Sequence, residues 1–336
     1  MLSVICPIYN EEKYIAQCIE SLLLQDYPQN DLEILFVDGM STDKTREIIA
    51  TYTEKYPFIK MLDNPKKIVP YAMNAGIKAS KGDIIIRLDG HVEYPTNYFS
   101  ALVKNLKKLG ADNVGAICET LPCDETTKAL AIAEALSSSF GMGNSYFRIG
   151  CDKVKQVDTV PFGCFKREVF DKVGLYDNEL IRNQDDELNG RIVKNGGKIY
   201  LIPSIVTKYY ARDKISKVRK MFYQYGLYKP LVNKKLGAPA TIRQFFPLVF
   251  VLGLSFGAIL SCLSWIIAVM YLSVIILYLL LACYFTFKSV KNTGKIRLFL
   301  YQPLTYLTVH VSYGWGYLVG IYKILMHKPF NAESNR

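Results

Sequence analysis

The chain has 336 residues, 50% hydrophobic and 21% charged, and its 41 Lys and Arg against 30 Asp and Glu leave a net charge of +11. It is too apolar to be disordered and long enough for one full-sized domain with an appendage. Eight Cys, none spaced as CxxC or set beside His at ligand spacing, exclude a disulfide scaffold and a zinc ribbon.

Residues 2–6 read as a β-branched strand with no basic stretch before it and Pro7 directly after it. No signal peptide is therefore expected, and residues 1–213 are expected to stay in the cytoplasm. Asn10 is suited to cap a helix with Glu11 and Glu12 in its first turn and Ile15, Ile19, Leu22 and Leu23 on one face. Strands at 33–37, 59–62 and 84–88 then alternate with helices at 42–56 and 71–79. This βαβ rhythm predicts a parallel sheet with ligands at the carboxyl ends of its strands.

Those ends carry Pro7-Ile8-Tyr9-Asn10-Glu11, then Asp38, then Asp89-Gly90-His91. Neither the glycine fingerprint of dinucleotide-binding folds nor a P-loop is present. Asp89 and His91, two residues apart in an extended segment, point the same way and form a half-site for a divalent cation. The imidazole tilts the choice from Mg²⁺ toward Mn²⁺. Asp-Gly is also an ordinary turn, and Gly163 fits either a turn or a close approach to an acceptor. Asp43 reads as a helix cap, and Glu187 with Arg191 as an i,i+4 pair.

Charge divides the chain at Asp213. Residues 1–213 hold 26 basic and 29 acidic residues, whereas 214–336 hold 15 basic residues and a single acid, Glu333. A nucleic-acid partner would need the positive charge on the folded domain, so none is expected. Residues 214–243 place Ile215, Val218, Phe222 and Tyr225 at helical spacing between basic residues, the pattern of an interfacial helix on anionic membrane lipids. From Gln244 to Phe287 no charge occurs for 44 positions, long enough for two spans turning near 261–265. Arg243 on one flank and Lys288, Lys291, Lys295 and Arg297 on the other place both ends on the cytoplasmic face. Residues 298–325 form a third apolar stretch, interrupted by Pro303 and His310, that reads as a third span or a re-entrant segment.

Seven segments in order extend these readings. They are 7–12, Val37-Asp38-Gly39-Met40-Ser41-Thr42-Asp43, Asn74-Ala75-Gly76, Lys81-Gly82-Asp83, Arg87-Leu88-Asp89-Gly90-His91, 160–167 and Asn183-Gln184-Asp185-Asp186-Glu187-Leu188. Together they resemble the family 2 glycosyltransferases of GT-A fold, over about residues 2–210. With the apolar C-terminal stretches, the chain looks most similar to bacterial membrane-attached exopolysaccharide transferases of the succinoglycan type.

The resemblance implies an α/β fold: a Rossmann-like nucleotide-sugar domain with a mixed, mostly parallel sheet, followed by interfacial and transmembrane helices. It implies that Pro7, Tyr9 and Glu11 line the base and ribose pocket, that Asp38 hydrogen-bonds the base or ribose, and that Asn74, Arg87 and Asp89 serve the nucleotide-sugar. Asp89 would share a Mn²⁺ or Mg²⁺ with His91, although the family more often carries Asp-x-Asp. Asp185 would be the catalytic base, with Asp186 the alternative, and Gln184, where the family usually has Glu, would join Gly163 at the acceptor. The missing Arg-Trp after Gln224 argues against a processive synthase. The expected activity is inverting transfer of one sugar from a UDP-sugar to a polyprenyl-diphosphate-linked glycan at the inner cell membrane. A polyprenyl-phosphate sugar synthase and a non-catalytic nucleotide-sugar-binding scaffold are the alternatives.

Overall fold

The structure, a computed structural model, describes residues 1–239 and 241–330, which leaves Glu333 outside the described residues. In chain order come β1 (Leu2–Ile8), α1 (Ile15–Leu23), β2 (Leu32–Asp38), α2 (Thr45–Lys55), β3 (Ile59–Asp63), α3 (Val69–Ala79), β4 (Ile84–Arg87), β5 (Val92–Glu93), α4 (Tyr98–Lys108) and β6 (Asn113–Leu121). Then follow α5 (Thr127–Leu136), α6 (Ser139–Met142), α7 (Tyr146–Ile149), β7 (Lys155–Gln156), β8 (Cys164–Lys166), α8 (Glu168–Val173), α9 (Gln184–Lys194) and β9 (Ile199–Tyr210). Four long helices close the chain: α10 (Ile215–Leu236), α11 (Phe246–Ser261), α12 (Trp265–Thr293) and α13 (Gln302–Leu325).

Among the described residues, packing separates two compact units, one of residues 1–119 and 150–209, the other of residues 120–149 and 210–330. The second break falls near the charge boundary at Asp213. Residues 120–149, which charge alone grouped with the N-terminal part, pack with the C-terminal helices.

The first unit is built on one sheet in the order β3-β2-β1-β4-β8-β6-β9-β5, with β7 on β9. β1 pairs in parallel with β2 and β4, and β2 with β3; β8 runs antiparallel to β4 and β6, and β9 antiparallel to β5. All seven positions of both β1 and β2 are buried, which is why these strands read as continuous apolar runs rather than alternating ones. Strand order reverses at β1, so a crevice opens at the carboxyl ends of β1 and β4.

The helix expected from Asn10 starts five residues later, at Ile15. Asn10 instead sits in the left-handed region at φ 54°, a conformation Asn tolerates. Its N–H donates to Ser41 Oγ at 2.9 Å, and its side-chain oxygen accepts from the Thr42 N–H at 2.9 Å. Competition from the loop after β2, absent from any local reading, takes Asn10 away from the helix.

In the second unit, Val218 and Phe222 of α10 lie in an apolar cluster with Ile132, Leu136 and Val309 of α5 and α13. The face expected to meet a leaflet is thus covered by protein, and the exposed face of α10 is its basic one, with Lys217, Arg219 and Lys220. Close approach explains this: a Cβ on Gly226 would lie 2.9 Å from the Tyr313 carbonyl carbon, and one on Gly316 2.9 Å from Leu227 N. Among the described residues two helices are long and apolar enough to cross a membrane, Ile242–Ser261 and Trp265–Thr293, joined at 262–264 as the hairpin predicts. Only 17% and 6% of their most apolar windows are covered, unlike core helices of a soluble protein.

At the amino end of the strands, Glu33 is buried and accepts from Ser3 Oγ at 2.6 Å and from the Lys81 N–H, while Gly82 N–H donates to Ser3 Oγ at 2.7 Å. Burial alone would raise the Glu33 pKa; the Ser3 and Lys81 bonds, with Lys60, outweigh it and hold the carboxyl below its ordinary value. A depressed carboxylate stabilises the fold above its unfolded pKa of about 4.3 and loses that contribution as pH falls through its folded value. Glu33→Gln is therefore expected to cost about 1–3 kcal/mol at pH 7. Thermal melts of both proteins in detergent should show a gap at pH 7 that narrows steadily below about pH 4.

Candidate active site

The loops after β1 and β2 are stitched together. Beyond the Asn10 bonds, Glu11 N–H donates to Thr45 Oγ1 at 2.7 Å, Glu12 N–H to Asp43 Oδ2 at 3.2 Å, and Lys44 N–H to Glu12 Oε2 at 3.2 Å. Asp43, read from the sequence as the cap of α2, stands one residue before the N-cap position, Lys44, and accepts from the Thr45 N–H at 3.0 Å. Asp38, at the end of β2, is fully buried, and both its oxygens are engaged: Ser41 donates from Oγ and N–H, and Arg46 Nη1 lies 2.6 Å away. Arg46 also reaches Asp63 Oδ1 at 2.8 Å, tying the ends of β2 and β3 together. Tyr9 packs beside Gly39, and Lys67 Nζ stands 5.9 Å from its ring centroid. Lys67 and Arg46 were missed in the sequence because each reaches this corner only through the fold.

On the other side of the crevice, Asp89 and His91 follow β4. Asp89 N–H donates to the buried Tyr94 hydroxyl at 2.8 Å, and the short β5 pairs with β9 so that the His91 ring faces Tyr209 with centroids 6.2 Å apart. His91 Nδ1 lies 3.2 Å from Asp89 Oδ1 and 3.2 Å from Glu11 Oε1. One ligand atom from each of Glu11, Asp89 and His91 fits within a 4.8 Å spread. Two carboxylates and an imidazole at that spread suit Mn²⁺ or Mg²⁺, with the nitrogen favouring Mn²⁺. Glu11, read as a pocket-lining residue, is thus brought into the expected Asp89–His91 pair.

The segment 183–188 forms the first turn of α9, with Asp185, Asp186 and Glu187 at the end where the helix dipole favours anions. Arg87, buried at the end of β4, donates from Nη1 to Asp185 Oδ1 in a short ion pair. Burial pushes the Asp185 carboxyl above the ordinary Asp range, against the pull of Arg87. Gln184 is buried in the same turn. Glu187 holds Arg191 bidentately at 2.7 and 2.8 Å, and Arg191 also donates to the carbonyls of residues 173–175, so this pair secures a loop as well as a helix face.

Two other residues read from the motifs are engaged within the fold. Asn74 Nδ2 donates to the Tyr176 carbonyl at 2.8 Å and to Asn178 Oδ1 at 3.0 Å, and its Oδ1 accepts from the Tyr176 N–H at 2.9 Å. Gly163 is buried where a Cβ would fall 2.6 Å from the Phe165 ring, and its carbonyl accepts from the Arg87 N–H at 3.0 Å. Pro7 lies within β1, paired with Val37.

Residues 3–174 match the model of Glycosyl transferase family 2. Over 96% of its length the chain is 29% identical to the dolichyl N-acetyl-alpha-D-glucosaminyl phosphate 3-beta-D-2,3-diacetamido-2,3-dideoxy-beta-D-glucuronosyltransferase of Methanococcus voltae, covering 97% of that protein. It is 32% identical to the succinoglycan biosynthesis protein ExoA of Rhizobium meliloti over 79% of this chain and 80% of that one. In structure it resembles a mannosyltransferase from Pyrobaculum calidifontis solved with GDP-Man and Mn²⁺, with TM-score 0.58, 18% identity, and coverage of 97% of this chain and 87% of that one. The GT-A architecture expected from the motifs is the one observed.

Asn74→Ala would strip two backbone groups of Tyr176 of their partners, at a cost of about 1–3 kcal/mol. A lower melting temperature, together with faster proteolysis between 174 and 183, is the expected outcome.

Proposed function

The chain belongs to glycosyl transferase family 2, and on that basis we propose that it is an inverting, metal-dependent transferase. It moves one sugar from a nucleotide-diphospho-sugar, UDP-linked, to a hydroxyl of a polyprenyl-diphosphate-linked glycan. The observation that carries this reading is the meeting of Glu11, Asp89 and His91 at the crevice of β1 and β4, with Asp185 tied to Arg87 two residues before Asp89.

Glu11, Asp89 and His91 would hold the divalent cation. When bound, the cation supplies Lewis-acid stabilisation of the leaving diphosphate. The Tyr9 ring, beside Gly39, and Pro7 near the end of β1 would line the base and ribose pocket, with Lys67 near the Tyr9 ring available to an anionic group of the donor. Asp38, wholly engaged by Ser41 and Arg46, shapes that pocket, and Asn74 fixes the loop that leads to α9. Asp185 accepts the proton of the acceptor hydroxyl as its oxygen bonds to the anomeric carbon and the bond to the diphosphate oxygen breaks. Asp186 is the alternative base, and Gln184 and Gly163 border the acceptor. A single displacement with one base inverts the anomeric centre.

In this reading residues 244–287 are a bilayer hairpin with both ends on the cytoplasmic face, supported by the two long apolar helices there, and 298–325 are a third transmembrane or re-entrant segment. Residues 1–213 then act at the cytoplasmic surface of the inner membrane, where a lipid-linked acceptor presents its anionic head. The basic face of residues 214–243 suits that surface.

Detergent-purified protein should bind a UDP-sugar in preference to a GDP-sugar, with Mn²⁺ tightening binding and EDTA abolishing transfer. Failure to bind any nucleotide-sugar with or without Mn²⁺ would defeat the reading. Glu11→Gln should weaken Mn²⁺ affinity about tenfold by calorimetry. Asp185→Asn should lower kcat about 100-fold or more while donor binding persists; undiminished turnover would point to Asp186 or to a lipid-phosphate acceptor, which needs little base catalysis.

A further inference from the structure

Arg87 lies in a motif whose family role is donor contact, yet its surroundings suit a different task. Its backbone is fixed in the central sheet, Ile5 standing opposite it in β1 and Gly163 accepting its N–H at 3.0 Å. Its side chain is only 7% exposed, and Nε is buried without a hydrogen-bond partner among the described residues. A guanidinium walled in this way has little surface to offer a diphosphate. What it does touch is Asp185 Oδ1, across 98 residues of sequence, while the Asp185 side chain keeps 27% of its surface exposed.

We propose that Arg87 is the positioning residue of the base: it anchors one carboxylate oxygen of Asp185 so that the other is presented to the acceptor hydroxyl. This rests on Asp185 acting as the base. Among the described residues, the cation that pairs with Asp185 is Arg87; Asp186, Asp89 and the Tyr176 phenol nearby are anionic or neutral and cannot fix a carboxylate by charge. An arginine on a rigid strand holds an oxygen in one geometry, which a lysine on its flexible stem does less well. The bland reading is that the pair merely pins α9 to β4, and the two readings differ in what a variant loses.

The test uses the full chain in detergent with Arg87→Gln, Arg87→Lys, Asp185→Asn and the Arg87→Gln/Asp185→Asn double variant. For each, kcat, acceptor KM, donor affinity by calorimetry and melting temperature are measured. Arg87→Gln is expected to lower kcat about 100-fold with donor affinity unchanged, Arg87→Lys to recover part of it, and Arg87→Gln to cost nothing further in the Asp185→Asn background. Weakened donor affinity with kcat kept at saturating donor would return Arg87 to donor contact. A fall in melting temperature alone would reduce the pair to a structural pin, and multiplicative losses in the double variant would make the two residues independent. Undiminished kcat in Asp185→Asn would instead sink the base assignment, and this proposal with it. Arg87→Lys, which keeps the charge, preserves the test should Arg87→Gln fold poorly.

Discussion

A guanidinium at the end of a central parallel strand must meet a counter-charge, because an unpaired buried ion costs several kcal/mol. Arg87 follows three buried isoleucines on β4, and its carboxylate comes from the first turn of α9. That requirement fixes where α9 begins. Two neutral pins repeat it on either side: Asn74 clamps the backbone at Tyr176, and Asn113 Nδ2 donates to Asn189 Oδ1 at 2.8 Å. The chain from 176 to 189 is therefore held at three points, one on α3 and two on the sheet, by groups that lose hydrogen bonds if it shifts. A carboxylate mounted this way is kept in one place by the fold itself.

The acids of this unit divide by who satisfies them. Glu33 and Asp38, at opposite ends of β2, take fixed donors, Ser3 and Lys81 on Glu33 Oε1 and Ser41 with Arg46 on both oxygens of Asp38. Glu11 and Asp89 instead converge on one imidazole at the point where strand order reverses. One ring nitrogen carries a single proton at most, so His91 Nδ1 can donate to only one of the two carboxylates beside it.

The parallel half of the sheet was legible because β1, β2 and β4 are buried on both faces and read as aliphatic runs with polar residues directly after them. From those ends Asp89, His91 and Glu11 could be named, but their convergence could not: it needs β1 beside β4 and the β5–β9 pairing that seats His91, 80 positions from Glu11, and no local pattern specifies either. The antiparallel half, including the twelve residues of β9, carried no comparable signal. Asn10 was misread as a cap because its competitor, the Ser41–Thr42 loop, lies on another strand. Asp38 is bonded by Ser41 and Arg46, and Arg46, the second residue of α2, carries no mark in the sequence of where it points.

Helical apolar periodicity identifies a face that needs covering and is silent on what covers it. α10 shows such a face, whereas α12 is apolar on every side from Trp265 to Phe287; α10 is covered by α5 and α13, while among the described residues most of α12 is not covered. The glycines separate the two cases. Gly226, Gly316 and Gly320 remove the side chains that would hold α10 and α13 apart, and α12 contains no glycine between Trp265 and Thr293. Close backbone approach is a device for binding another helix, and large aliphatic side chains are what a helix presents to lipid. Once α10 has spent its apolar face on protein, its exposed Lys217, Arg219, Lys220 and Lys234 are what it has left for an anionic surface. A contact made through those cations is electrostatic and is screened over a Debye length of about 8 Å, whereas burial of the large aliphatic side chains of α12 does not depend on charge.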